Sequence, residues 1–176
     1  NGSGPCGGII RLNPDGSADP TFNAGTGVDG AVLCITLKPN GNILLGGSFT
    51  EFNGTASNNI VELNADGSLS TQFDPNDGAN ERVNSIALLP DGGLMIGGRF
   101  DQFDGTLHRG LAKLLSDGTE VPGFSADINT LNFSVERVLV RPDGNILVVG
   151  SFHELNGVSR QSIALIDASG SVLDEF

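Results

Sequence analysis

The side chains able to move protons, attack carbonyls or hold metals are few and scattered. His108 and His153 are the two histidines, Cys6 and Cys34 the two thiols, and 21 acidic residues stand against nine lysines and arginines. A zinc site needs histidines and cysteines at short fixed spacings, and neither histidine has such neighbours. A serine hydrolase of the elbow type would show G-x-S-x-G, which is absent. Both histidines therefore read as surface residues. Cys34 lies in the apolar run VLCITL (Val32 to Leu37) and reads as a small core residue. Whether it pairs with Cys6 depends on a distance that spacing does not give.

Oxygen ligands are more plentiful. NPDGS (Asn13 to Ser17) and NADGS (Asn64 to Ser68) are rich in them. An EF-hand loop, however, needs ligands at alternating positions and a glutamate at the twelfth. Looser sets are Asp74, Asp77 and Glu81, or Asp101 and Asp104, so calcium is the one cofactor these residues suggest, and weakly. GTGVDG (Gly25 to Gly30) spells a dinucleotide fingerprint, but that motif must open a helix, and here it runs into an apolar strand pattern. It reads as a glycine-rich loop between strands. The sequons Asn53-Gly54-Thr55 and Asn132-Phe133-Ser134 read as chance matches.

The net charge of −12 sets the broad class. Phosphate backbones and anionic membranes repel such a surface, so no nucleic acid is expected as a partner, and no membrane insertion. No apolar run approaches the roughly 18 residues of a spanning helix. With 38% hydrophobic residues the chain can bury a core, and its 26 glycines imply many turns.

What must position these residues is a repeat. NILLGGSFTEFNG (Asn42 to Gly54) returns as GLMIGGRFDQFDG (Gly93 to Gly105) and NILVVGSFHELNG (Asn145 to Gly157). Phe22, Phe73, Phe124 and Phe176 close successive units in steps of 51, 51 and 52. Each unit offers four short apolar runs. The first is Val32 to Leu37, matched by Val83 to Leu88 and Val135 to Val140; Asn40-Gly41, Asp91-Gly92 and Asp143-Gly144 follow as two-residue hairpin turns. The second run ends in paired glycines. The third is IVEL, LAKL or IALI, and a further Asp-Gly turn leads to a fourth short strand. SADINTLNFS (Ser125 to Ser134) carries the extra residue and reads as a surface loop. No window holds a 3.6-residue period, so no helix is expected.

Four antiparallel strands in about 50 residues, repeated, predict an all-β fold of β-propeller-type blades that bury their faces on one another. The chain, 1–176, forms one repeat domain: a half-blade hairpin over 9–22, then repeats over 28–73, 79–124 and 130–176. The stretches SADPTFNAGTG, ITLKPNGNILLGGSFTEFNG and NNIVELNADGSLSTQF resemble the delta-60 repeat of bacterial proteins, and the likeness runs from Ile9 to Phe176. The third repeat departs from the pattern at Val149, Leu155 and DASG (Asp167 to Gly170). The resemblance implies propeller blades and a secreted or cell-surface bacterial protein.

Three and a half blades do not close a ring of the usual four to eight. The chain is then a piece of a longer array, a protomer that joins identical copies end to end, or an open stack. Within each unit the frame of Phe49, Phe100 and Phe152 and of Gly54, Gly105 and Gly157 is fixed while the polar residues around it vary. Glu51, Asp101, His108, Arg109, His153, Glu154 and Arg160 are the candidate ligand-binding loop tips. The expected function is non-catalytic: adhesion or recognition of a protein or glycan partner. The alternatives are a glycan- or calcium-dependent lectin-like domain, and a fragment of an enzyme whose active site lies in missing blades.

Overall fold

The computed structural model describes residues 8–174; Cys6, whose pairing with Cys34 the sequence leaves open, and Phe176, expected to close the third repeat, lie outside that range. The described residues form strands, turns and irregular segments, with no helix. The first blade holds β1 (Ala31–Leu37), β2 (Ile43–Ser48), β3 (Glu51–Phe52), β4 (Thr55–Ala56) and β5 (Ile60–Leu63). The second holds β6 (Val83–Leu88), β7 (Leu94–Gly98), β8 (Gln102–Phe103), β9 (Thr106–Leu107) and β10 (Leu111–Leu114). The third holds β11 (Ser134–Val140), β12 (Ile146–Ser151), β13 (Glu154–Leu155), β14 (Val158–Ser159) and β15 (Ile163–Ile166).

In each blade the first, second and third long strands form an antiparallel sheet in the orders β1-β2-β5, β6-β7-β10 and β11-β12-β15. The fourth strand is reduced to one bridged pair: Leu63 with Leu69, Leu114 with Glu120, and Ile166 with Val172. The half-blade hairpin has the same form, with Leu12 bridged to Ala18. Such sheets are apolar on both faces and are stable only when stacked. β6 packs on β1 and β2, and β11 on β6 and β7. Leu44 and Ile60 of the first blade meet Val83, Ile86, Leu94 and Ile96 of the second in one cluster, all at most 7% exposed. Met95 and Leu111 meet Val135, Val138 and Val148 in the next. Each such side chain contributes about 1.5–3 kcal/mol on burial.

The turns differ from expectation. Between β1 and β2 the Lys38 N–H donates to Asn42 O at 2.8 Å and the Gly41 N–H to Lys38 O at 2.9 Å, with Gly41 at φ +88° and Asn40 outside the positive region. This is a wider turn ending in a left-handed glycine. Pro39 explains it, because a two-residue turn at Asn40-Gly41 would need a Pro39 N–H that proline lacks. The two-residue turns stand elsewhere. Asn53-Gly54, Asp104-Gly105 and Asn156-Gly157 have positive φ at both residues and close the small hairpins β3–β4, β8–β9 and β13–β14. Phe52, Phe103 and Leu155 tuck these hairpins into the core at 0% exposure. The 125–134 segment is likewise not wholly a surface loop, since Ala126 and Ile128 are buried in the seam between the second and third blades.

At the opposite end of the sheets one aspartate motif recurs. Asp15, Asp66, Asp117 and Asp167 each accept at Oδ1 the N–H and the hydroxyl of the residue two further on, the hydroxyls lying at 2.6–2.7 Å. The hydroxyl hydrogen bond first, aided by the backbone N–H, holds each carboxyl below the usual aspartate value. A depressed folded-state value contributes stability that is complete above the unfolded value of about 3.9 and is lost as pH falls through the folded value. The melting temperature, followed by circular dichroism, should therefore hold down to about pH 5 and fall below about pH 4. Asp66→Asn, Asp117→Asn and Asp167→Asn combined should flatten that acid limb.

Candidate functional site

The pairing of first and second strands brings two chain segments together at one end of every blade. Ala31 lies opposite Ser48, and Ser134 opposite Ser151. In the middle blade the Arg99 N–H donates to Arg82 O at 3.0 Å. Between the first and second blades this leaves a cleft of about 440 Å³ lined by Asp29, Ser48, Thr50, Asn59 and Asn80 with Glu81, Arg82 and Arg99. A second cleft of about 260 Å³ shares Asn80, Glu81 and Arg99 and adds Asp101 of the second blade with Asn132 and Phe133 from the third blade's side.

Part of this lining is scaffold. The Asp29 carboxylate accepts Thr50 N–H at 2.7 Å, Glu51 N–H at 3.0 Å and the Thr50 hydroxyl at 2.6 Å. The Thr50 hydroxyl first, then the two backbone N–H groups, hold its carboxyl below the usual range. Asn80 repeats the clamp, accepting Asp101 N–H and Gln102 N–H at 3.1 Å each while its amide donates to Asp101 Oδ1 at 2.6 Å. In the third blade the Thr130 hydroxyl accepts His153 N–H at 3.2 Å. One polar residue per blade thus ties the loop before the first strand to the small hairpin.

Glu81, Arg82 and Arg99 do not repeat. Their counterparts are Gly30, Ala31 and Ser48 in the first blade and Phe133, Ser134 and Ser151 in the third. The same three-stranded sheets form with small or apolar residues there, although Gly30 follows a path of its own that leaves no room for a side chain, so the charges are not what the blade needs to fold. Arg99 Nε lies 3.5 Å from Glu81 Oε2, both side chains about half exposed, a pair worth under about 1 kcal/mol. Arg82 forms no ion pair among the described residues, and its Nε is buried without a hydrogen-bond partner. An orphaned donor of this kind costs about 1–3 kcal/mol.

The chain matches the family model described as a domain of unknown function (DUF5122) β-propeller over residues 1–22, 38–73, 89–119 and 141–172. It belongs to the DUF5122 β-propeller family. The match shows a β-propeller-like repeat family and is not specific to the delta-60 repeat. No curated protein matches the chain. The DUF5122 segments take in the second and third strands and their turns, Arg99 among them, while the intervening 74–88 stretch, with Asn80, Glu81 and Arg82, falls outside the matched pattern.

On the DUF5122 frame the sequence candidates scatter. Glu51, Asp101 and His153 are exposed at the bases of the three small hairpins, and Glu154 beside His153 is half-buried. They are not tips, because the two-residue turns put Asn53-Gly54, Asp104-Gly105 and Asn156-Gly157 there. His108 is not a surface residue. It is 4% exposed, and its Nε2 lies 2.8 Å from Glu120 Oε1, a partner twelve residues away that nothing in the local sequence announced. Arg109 donates to Asn129 Oδ1 at 3.2 Å, and Arg160 to Leu173 O at 3.2 Å and Asp174 at 2.9 Å, so both serve local contacts. Of these candidates Asp101 lines the second cleft alone, while Glu81 from the calcium sets lines both.

Among the described residues no group of three or more histidine, cysteine or acidic side chains is placed to hold a metal. Three of the acids suggested for calcium accept hydrogen bonds from asparagines. Asp104 accepts Asn76 Nδ2 at 2.9 Å, Asp74 accepts Asn76 N–H at 3.0 Å, and Asp101 accepts Asn80. Cys34 is half-buried against the first seam, and burial pushes its thiol up to about 11, away from nucleophilic use. Arg82 and Arg99 are not among the residues singled out from the sequence. Setting the three units side by side exposes them, since they put charge where the other blades carry alanine or serine.

Proposed function

We propose that this chain is a non-catalytic binding module of a bacterial secreted or cell-surface protein, serving adhesion or partner recognition through the cleft between its first two blades. The observation that carries this reading is the trio Glu81, Arg82 and Arg99, charged in one blade of three and backed by a frame that folds without them. The chemistry of the lining favours holding over reacting. Guanidinium groups do not give up protons at neutral pH, the Asn59 and Asn80 amides do not titrate, and of the two carboxylates Asp29 is held by three donors and Glu81 lies against Arg99. The delta-60 likeness and the acidic surface support the location.

The test is a screen of the whole chain on glycan and peptide arrays beside a variant carrying Glu81→Gly, Arg82→Ala and Arg99→Ser, the first blade's own residues. At least one ligand should bind the parent and bind the variant about tenfold more weakly or worse, as expected for lost charged hydrogen bonds. Ligands held equally by both proteins would place recognition elsewhere and overturn the reading.

A further inference from the structure

We infer that the cleft between the first and second blades takes a carboxylated sugar, its carboxylate held by Arg82 and Arg99; this rests on the binding-module reading. The two guanidiniums share the cleft with two carboxylates, of which Asp29 is already taken up by Thr50 and Glu51 and Glu81 lies loosely against Arg99. Arg99 has a weak, exposed partner in Glu81 at 3.5 Å. Arg82 has no ion-pair partner among the described residues. A planar carboxylate is the anion that matches the guanidinium fork, and pairs of this kind are the strong hydrogen bonds of proteins.

The rest of the lining selects the body of the ligand. Ser48 offers an exposed hydroxyl, Asn80 keeps one amide N–H beyond its clamp on Asp101 and Gln102, and the Thr50 hydroxyl, which donates to Asp29, can still accept, all partners of sugar hydroxyls. Asn59 is buried and bonded to Phe49 N–H and Ala79 O. Phe49 is the one large apolar side chain in that lining and is 3% exposed, so the cleft shows none of the apolar pockets in which peptides seat their anchors. Across the Glu81–Arg99 ridge the half-buried Phe133 gives the second cleft an aromatic surface for the apolar side of a sugar ring. A cleft of about 440 Å³ is within the range of small-molecule sites.

The probe is an oligogalacturonate, titrated calorimetrically into the whole chain, with the neutral galactose oligomer and an oligo-glutamate peptide as comparison arms. The acidic sugar should bind saturably, about tenfold or more tightly than the neutral one, and weaken with added salt. Arg82→Ala and Arg99→Ser should each weaken it about tenfold. Both variants carry residues found at the same positions in another blade, and unchanged melting curves would confirm that they fold. Equal binding of charged and neutral sugars would overturn the inference, as would binding unchanged in both variants. Binding of the peptide alone, or of an array ligand at the cleft with no affinity for the acidic sugar, would overturn it while leaving the binding-module reading in place. Array ligands indifferent to the triple variant would overturn both.

Discussion

Replacing Gly97 with valine should unfold the seam between the second and third blades. A Cβ at Gly97 would lie 2.6 Å from Val135 Cγ1 and 3.0 Å from Val138 Cγ1, before the rest of the side chain is placed. Those valines sit on β11, the first strand of the third blade, and cannot yield without lifting the sheet. Overpacking of a core costs about 1–3 kcal/mol, and a whole-sheet contact belongs at or beyond the top of that range. Against a total stability of about 5–15 kcal/mol, urea unfolding should show a large loss of midpoint. The third blade supplies the control. Val149 occupies the equivalent position, paired with Arg137 where Gly97 pairs with Ser85, and it is only half-buried. Val149→Gly should cost about 1 kcal/mol, the backbone price of glycine in a strand.

The second large effect is expected at the buried pair of Lys38 and Glu62. Their Nζ and Oε2 atoms lie 2.6 Å apart, and Glu62 is 2% exposed. Glu62 Oε1 accepts Asn42 Nδ2 at 2.7 Å and the Ser70 hydroxyl at 3.3 Å, while Lys38 Nζ also donates across the seam to Ser116 O at 2.9 Å. The neighbouring seams explain the arrangement. Arg11 donates to Ala65 O at 2.5 Å and Lys113 to Ala168 O at 3.2 Å, from the third-strand position that Glu62 occupies in the first blade. The same carbonyl is served in all three seams, and where the strand carries an acid, Lys38 reaches over it to serve Ser116.

Glu62→Ala or Lys38→Ala, each stranding a buried charge, should cost about 3–5 kcal/mol. The double change Lys38→Leu with Glu62→Lys copies Leu89 and Lys113 of the second blade and should return to within about 1 kcal/mol of the parent. Chemical denaturation of the two single variants and the double variant beside the parent checks both statements.

The long strands were legible because their apolar runs are bounded by strong turn signals. IVEL, LAKL and IALI are β5, β10 and β15 residue for residue. The small hairpins were not, since strands of two residues are too short to show a period. Their Asn-Gly and Asp-Gly turns were taken for a frame between variable tips, and the two-residue turn type was assigned instead to the sites after Pro39, Pro90 and Pro142. His108 was misplaced because burial beside Glu120 is set by the bridge of Leu114 with Glu120, a contact outside any local pattern. The cleft was missed for a related reason. Arg82 and Arg99 are 17 positions apart, and only the pairing of β6 with β7 brings them to the same end of the sheet.

The separation of a folding frame from a charged site is tested most directly by urea unfolding of the Glu81→Gly, Arg82→Ala, Arg99→Ser variant against the parent. Stability no more than about 0.5 kcal/mol below the parent's, or above it because the variant also loses the orphaned Arg82 Nε, with the same slope, is the expected result. A loss beyond about 2 kcal/mol, or a changed slope, would show that the trio holds the blades together, and the claim that it is there for a ligand would fail.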